Sequence, residues 1–359
     1  MSVPADVVRL LEEAVAARVF PGAAIECGRS SGIRAQAAVG RLTYDPDSPA
    51  ASPDTIYDLA SLTKVIATAT LAMRAVEQDT LGLGVRVRDR LADWTGSDRE
   101  TVTVRDLLEH ASGLTGYLPF FRDVQGRPEF QRAICTLPLE YPPRSRSIYS
   151  DLGFMLLGFL LEDAAGRPLE AQFERVAAIA APEPLAFNPP RTWRARTAPT
   201  ETDPWRGRLL QGEVHDENTW ALGGAAGHAG LFGTAAAVGR FAAEILKGLR
   251  GGVNGLARAE TILRFAQKSG VPHSSRALGW DTMLPTSSCG TLMSPRAIGH
   301  TGFTGTSLWI DPELDLYVIL LTNRVHPTRD GANAIQQVRR AVHDAVVRSG
   351  VPDPSSPTA

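Results

Sequence analysis

Apolar residues along this chain recur at helical spacing in some stretches and at alternating spacing in others, and the two periods fall into separate blocks. Residues 4–18 read as an amphipathic helix with Pro4 in its first turn. Residues 23–27 and 33–39 read as paired strands around the turn residues Ser30, Ser31 and Gly32. Helical patterns follow at 61–77, 103–111, 152–163 and 168–178. The proline-bearing stretch 181–208 predicts a long surface excursion. Helix returns at 238–249 and 260–268, strand signals fill 280–323, and a last helix is predicted over 331–347. Strands at both ends with helices between them predict an α/β domain built from residues 1–60 and 235–350, with a mainly helical region at 61–234. The polar tail, 351–359, is expected to be disordered. No internal repeat is visible, and no run is long and apolar enough for a transmembrane helix.

Three short stretches carry candidate chemistry. In Ser61-Leu62-Thr63-Lys64 the serine stands at the predicted start of a helix and the lysine one turn on, so the ammonium can reach the hydroxyl. The first-turn N–H groups favour negative charge developing at Ser61, and a serine hydroxyl becomes a useful nucleophile only when a neighbouring base takes its proton. Tyr149-Ser150-Asp151 precedes the apolar run from Leu152, which puts Tyr149 on a loop entering a helix. A phenol beside cations can act as general base. In His300-Thr301-Gly302 two polar residues lie on or beside a strand, and the glycine lets a ligand approach the backbone. The N–H of Phe303 can then join that of Ser61 in an oxyanion hole.

In this order and at these wide spacings, the three stretches resemble the serine β-lactamase and penicillin-binding-protein superfamily, in its class C-like branch with esterases and D-amino-acid peptidases. Thr103-Val104-Arg105-Asp106-Leu107-Leu108-Glu109-His110-Ala111-Ser112-Gly113-Leu114 is similar to the family's helix and turn, and Ile319-Leu320-Leu321-Thr322-Asn323-Arg324 to its last-strand ending. The resemblance implies an α+β fold: an antiparallel sheet flanked by N- and C-terminal helices, plus an all-helical region. It also implies an acyl-enzyme on Ser61, a proton network of Lys64 and Tyr149 with either as base, and an oxyanion hole at Ser61 and Phe303. Asp151 would position Lys64, and His300, Thr301 and Gly302 would bind the substrate's polar end.

The segment 212–234 resembles a subgroup of penicillin-binding-protein-like hydrolases, some linked to cell-wall turnover. The resemblance implies that this region borders the substrate cleft, where His215, Asp216 and His228 would bind substrate or tune the site. The alternative is glycine-rich loop packing with the histidines capping carbonyls. Two departures bear on specificity. His300 stands for the usual lysine and removes a permanent charge. Asp151 stands for the usual asparagine, exchanging an amide donor for negative charge near Lys64. Both argue against efficient β-lactam hydrolysis. The expected substrate is an ester, a D-amino-acid peptide or a muropeptide. A muropeptide amidase and a catalytically silent member of the fold are the alternatives.

Composition narrows the setting. The chain has 359 residues, 43% hydrophobic and 21% charged, with a net charge of -2, so it can bury a large core and has no basic field for nucleic acid. Cys27, Cys135 and Cys289 are odd in number and far apart, which suits buried thiols in a reducing compartment. The first residues carry charge where a secretory signal needs an apolar core, so a cytoplasmic location is expected. No metal or cofactor is expected, since His215, Asp216 and His228 bring no spaced third ligand. His110 is predicted at a helix C-terminus, where partial positive charge suits the dipole. His273, His326 and His343 are expected on the surface, and Trp205, Trp220, Trp280 and Trp309 in the core or cleft wall.

Overall fold

The computed structural model describes residues 2–330 and 332–349, so the expected tail lies outside the described residues. Ten α-helices are described: α1 Ala5–Ala16, α2 Thr70–Glu77, α3 Val104–Leu108, α4 Gly126–Cys135, α5 Asp151–Ala165, α6 Leu169–Ala177, α7 Glu217–Ala221, α8 Ala235–Leu249, α9 Ala259–Ala266 and α10 Ala332–Ser349. The strands are β1 Gly22–Gly28, β2 Arg34–Gly40, β3 Tyr57–Asp58, β4 Leu185–Phe187, β5 Thr202–Asp203, β6 Arg208–Leu209, β7 Leu231–Gly233, β8 Asp281–Thr282, β9 Ile298–Thr301, β10 Ser307–Asp311 and β11 Leu316–Thr322.

The main sheet has six strands in the order β2-β1-β11-β10-β9-β8, with antiparallel neighbours throughout. The N-terminal hairpin thus docks on the last strand, with Ala23 opposite Thr322 and Gly28 opposite Tyr317. Side chains alternate across the pleat. Ala24, Leu308, Ile310, Ile319 and Leu321 belong to one apolar cluster, and Ala23, Ile25, Trp309, Val318 and Leu320 to another. Helix α8 covers the first face, and α1 and α10 cover the second. Helix α1 faces inward with Val7, Leu11 and Ala14, one per turn. A one-residue slip of β1 would exchange its two apolar sets between faces, so the register is strongly specified.

The first cluster continues into the helical region through Leu107, Leu156 and Phe173. Helix α5 is buried from Leu152 to Leu161, with Ser150 capping its start by accepting the N–H of Gly153 at 3.1 Å. It stops at Gly166, whose φ of 62° a Cβ would strain. We propose the division at 1–60 with 235–350 against 61–234 as the organisation around this shared core.

Several expectations need correction. The regular helix expected over 61–77 is a 3-10 turn, Ala60–Leu62, then a π-helical stretch, Lys64–Ala69, and only then α2. The widened stretch is tied sideways: Thr68 Oγ1 donates to Gly227 O at 2.6 Å, and Thr70 Oγ1 to Val65 O at 3.0 Å. The proline-bearing excursion is partly interior. Its β4 joins β3 and β7 in a three-stranded sheet, and Thr197, Ala198, Glu201 and Asp203 are buried, because backbone bonds between Ile56 and residues 196 and 198 draw the segment in. His343 is fully buried on the inner face of α10, where its Nδ1–H donates to Arg339 O at 2.7 Å, and burial lowers its pKa to about 4. His326 is partly buried and His273 exposed. Trp280 and Trp309 are core residues, whereas Trp205 and Trp220 are exposed. Helices α4 and α7 have no counterpart in the periodicity; α7 is too short to show one.

Candidate active site

Ser61 stands at the tip of a turn that the chain holds under strain. Ala60, just before it, has φ +47°, a left-handed conformation that disfavours a residue with a Cβ. The Asp58 carboxylate stabilises that turn by accepting the N–H of Ala60 at 2.8 Å, while its other oxygen accepts the N–H of His215 at 2.7 Å. The loop after β9 is fastened to the same place, with Thr304 Oγ1 donating to Asp58 O at 2.7 Å and Thr306 Oγ1 to Leu59 O at 3.1 Å. A Cβ on Gly302 would come 2.7 Å from Leu59 O, so the glycine is what lets the loop lie against the serine turn.

Lys64 is fully buried beneath Ser61. Its Nζ lies 3.0 Å from Ser61 Oγ, 3.0 Å from His228 O and 2.7 Å from Asp151 Oδ1. The centre of the Tyr149 ring is 4.8 Å away. Burial disfavours the ammonium, but Asp151 and Tyr149 outweigh it, and Lys64 is held above its ordinary pKa. Burial also raises the Tyr149 phenol, with Lys64 pulling the other way. At neutral pH Lys64 therefore rests as an ammonium and Tyr149 as a phenol. Asp151 opens α5, so its carboxylate also sits at a helix N-terminus, and its own N–H is satisfied by Gly116 O at 2.8 Å.

Two neutral histidines flank Tyr149. His110 packs 4.8 Å from the Tyr149 ring and 4.9 Å from Phe154. Its Nδ1 accepts the Ser150 N–H at 3.0 Å, so Nε2 carries the proton in the neutral ring. Burial lowers its pKa well below the ordinary value, helped by Arg276 and Lys64. This corrects the expectation of a partly charged histidine at a helix end: His110 is a neutral brace for the Tyr149 loop. His300 lies 5.8 Å from the Tyr149 ring, is likewise kept neutral by burial, and donates from Nδ1 to Thr301 O at 2.8 Å. A fixed cation nearby is instead Arg276, whose guanidinium lies 5.1 Å from the Tyr149 ring centre. No motif flagged Arg276, because it stands on an irregular segment far from the three stretches in sequence.

The facing wall is a charged network. His215 Nε2–H donates to Glu201 at 3.0 Å, and Arg329 pairs with Glu201 at 2.6 Å and Glu217 at 2.7 Å. Burial alone would raise Glu201, but hydrogen bonds from His215 and Arg329 outweigh it and hold the carboxyl at about 2. His228 Nε2–H donates to Asp216 at 2.9 Å, and the His228 carbonyl is the one that accepts from Lys64. The Phe303 ring stacks on His215 at 5.6 Å and lies 4.6 Å from the Arg324 guanidinium.

These elements surround one cleft of about 590 Å³, bounded by Ser61, Tyr149, Asp151, His215, His228, His300, Thr301, Gly302 and Phe303. Lys64 lies under its floor. Asp58, Arg276 and Arg339 border it too and were not singled out in the sequence. The three cysteines are free and buried, and burial pushes each thiol up to about 12, so none is a thiolate near neutral pH. Among the described residues no three His, Cys, Asp or Glu side chains converge as a metal site, and no helix is long and apolar enough to cross a membrane.

Known proteins share this architecture. A family model described as Beta-lactamase matches residues 7–343. An Escherichia coli (strain K12) protein named "Putative D-alanyl-D-alanine carboxypeptidase" is 32% identical over 311 residues, which is 77% of this chain and 70% of that protein. A β-lactamase from Sulfitobacter sp. EE-36 superposes with a TM-score of 0.75 at 20% identity, over 96% of this chain and 97% of its own. A hydrolase with promiscuous acyltransferase activity gives 0.74 at 22% identity, over 94% and 97%. At such identities the two structures speak for the fold. With the family match spanning nearly the whole length, this chain belongs to the β-lactamase family.

Proposed function

We propose that the protein is a serine hydrolase that works through an acyl-enzyme on an ester or amide. The observation that carries this reading is the buried Lys64 Nζ, 3.0 Å from Ser61 Oγ and 2.7 Å from Asp151. A fully buried lysine is expensive unless paired, and here it is paired and pointed at a hydroxyl on the cleft surface. In the proposed step, Ser61 Oγ attacks the carbonyl carbon and its proton passes to the Tyr149–Lys64 pair. The two groups titrate as one unit. Because Asp151 keeps Lys64 an ammonium, the acting base is the pair after it has released one proton to water: the Tyr149 phenolate, stabilised by the ammonium, takes the Ser61 proton and becomes phenol again. The N–H groups of Ser61 and Phe303 hold the oxyanion. The leaving group recovers the proton, and water repeats the sequence to release the acid.

The substrate class is proposed on charge. A D-alanyl peptide ends in a carboxylate, which Arg276 is placed to meet above Tyr149, while neutral His300 contributes shape and polarity. The name of the E. coli relative points the same way. The free thiols suit a reducing compartment, in keeping with a cytoplasmic role. The test is a panel of short aryl esters, D-alanyl peptides, N-acetylmuramoyl peptides and nitrocefin, assayed with wild type and Ser61→Ala. Turnover of at least one ester or amide that disappears in Ser61→Ala supports the reading. A panel with no turnover and no labelling of Ser61 by a serine-directed probe favours a silent binding member and overturns it.

A further inference from the structure

The loop that presents Phe303 is gripped by two largely buried guanidinium groups at the edge of the cleft that the proposed steps leave unused. Arg339, on α10, donates from Nη2 to Gly302 O at 2.9 Å and to Thr306 O at 2.7 Å. Arg324, just after β11, donates to Phe303 O from Nε at 3.0 Å and from Nη2 at 2.8 Å. Both residues are only 6% exposed. Among the described residues neither has a carboxylate within ion-pair distance. Arg339 Nε is buried with no partner, and burial together with Arg324 disfavours its charge. Two like charges are thus held in the interior with backbone carbonyls for company. Such an arrangement costs stability, and an apolar pair would fill the same volume at less expense.

The peptide geometry gives a reason for keeping them. The carbonyl of Gly302 and the N–H of Phe303 belong to one planar trans peptide, so they point in opposite directions. A donor fixed on Gly302 O aims the Phe303 N–H away from Arg339 and polarises it through the same peptide; in the proposed mechanism that N–H meets the oxyanion beside Ser61. Arg324 holds the next peptide, through Phe303 O. Thr304 and Thr306 meanwhile tie this loop to the backbone just before Ser61. The separation of the two N–H groups is thereby fixed from both sides.

We infer that Arg339 is a positioning residue for the oxyanion hole: it orients and polarises the Gly302–Phe303 peptide, and its uncompensated charge is relieved when negative charge develops on the substrate oxygen. This rests on the acyl-enzyme reading above. Removing one direct oxyanion donor slows catalysis by about a hundred- to a thousandfold, so disturbing its orientation and polarisation is expected to give a smaller loss, about ten- to a hundredfold in kcat.

The experiment compares Arg339→Met, Arg339→Lys and Arg324→Met with wild type in kcat, KM and affinity for a phenylboronic acid. In that adduct Ser61 Oγ bonds to boron, its proton leaves through the Tyr149–Lys64 pair to water, and the boron becomes a tetrahedral anion resembling the oxyanion. Arg339→Met is expected to lower kcat and boronate affinity by the same factor while KM moves less than about threefold. Arg339→Lys is expected to recover part of both, since it restores the charge without bridging both carbonyls. Arg324→Met, acting on the neighbouring peptide, is expected to lose less. If Arg339→Met does not fold, Arg339→Lys carries the comparison with Arg324→Met. A kcat and boronate affinity within about twofold of wild type in the Arg339 variants overturns the inference and leaves the hydrolase reading standing. So does a loss that appears equally in Arg324→Met and follows the melting temperature. A wild type that neither turns over substrate nor binds boronate overturns both.

Discussion

Lys64 and Glu26 are both fully buried charged residues, and they are kept in opposite ways. Lys64 faces a carboxylate at 2.7 Å and is held more firmly charged than a free lysine. Glu26, on β1 beneath α8, has only neutral partners: the Tyr317 hydroxyl donates to it at 2.9 Å, and Gln36 donates to its other oxygen. Burial raises the Glu26 pKa to about 6, against hydrogen bonds that pull it down. In the proposed mechanism the pairing at Lys64 holds a fixed cation beside Ser61 Oγ. The arrangement at Glu26 tolerates a carboxyl in a packed sheet face, where Gly239 leaves it room; a Cβ at that glycine would collide with the carboxylate. A buried charge with an ionic partner, 3.0 Å from a hydroxyl at a cleft surface, is therefore the mark of a candidate functional site. A buried carboxyl among neutral donors, outside the lining of the cleft, is a packing feature that costs stability once it ionises.

The sharpest test removes what the Lys64 charge serves. Ser61→Ala is expected to lower turnover below about a thousandth of wild type, with an unchanged circular dichroism spectrum and melting temperature. Near wild-type esterase activity would end the catalytic assignment. Next come Lys64→Ala and Tyr149→Phe, each expected to slow acylation at least about a hundredfold, the scale of general-base loss. Stopped-flow acylation rates that do not change would take both groups out of the mechanism. A smaller effect is expected from restoring the usual residues in His300→Lys with Asp151→Asn. The ratio of nitrocefin to aryl-ester kcat/KM should rise roughly tenfold if one charge-assisted hydrogen bond is regained. A fall in that ratio would refute the specificity argument for these two positions.

The last test addresses the other half of the comparison. The folded-state pKa of Glu26, about 6, lies above the ordinary carboxyl value of 4.5. Its neutral form therefore favours the fold fully below about pH 4.5, and that contribution is lost as pH rises through about 6. Glu26→Gln is expected to be more stable than wild type above pH 6 by at most about 2 kcal/mol, with the advantage vanishing near pH 4.5. Urea denaturation at the two pH values checks this. An advantage independent of pH would mean that packing, not ionisation, sets the difference, and the contrast with Lys64 would fail.

Much of the fold was legible because long elements carry their period in the sequence. Helix α1 shows one buried residue per turn, and the strands that build the sheet came out as β1, β2 and a strand-rich stretch near the C-terminus. What was not legible was local or non-local for clear reasons. Helix α7 has five residues, too few for a period. The segment 181–208 looked like surface because its burial depends on partners far away, with Glu201 reaching Arg329 and Ile56 pairing with its backbone. The π-helical stretch after Ser61 is set by side-chain bonds to residues 227 and 228, which periodicity does not register.

The same division runs through the site. Ser61, Lys64 and Tyr149-Ser150-Asp151 stood out in the sequence because their chemistry lies within short spans whose spacing implies contact or a helix start. Arg276, Arg324, Arg339, Glu201 and the role of His110 did not, because each acts across the fold. Sequence by itself determined the family, the antiparallel α+β architecture and the triad of candidate groups, since local spacing and ordered motifs are properties of the chain. Only the tertiary structure decided which histidines are neutral, which cations face the cleft and which guanidinium holds the Gly302–Phe303 peptide. Burial and the distance between charges arise only once distant segments are packed together.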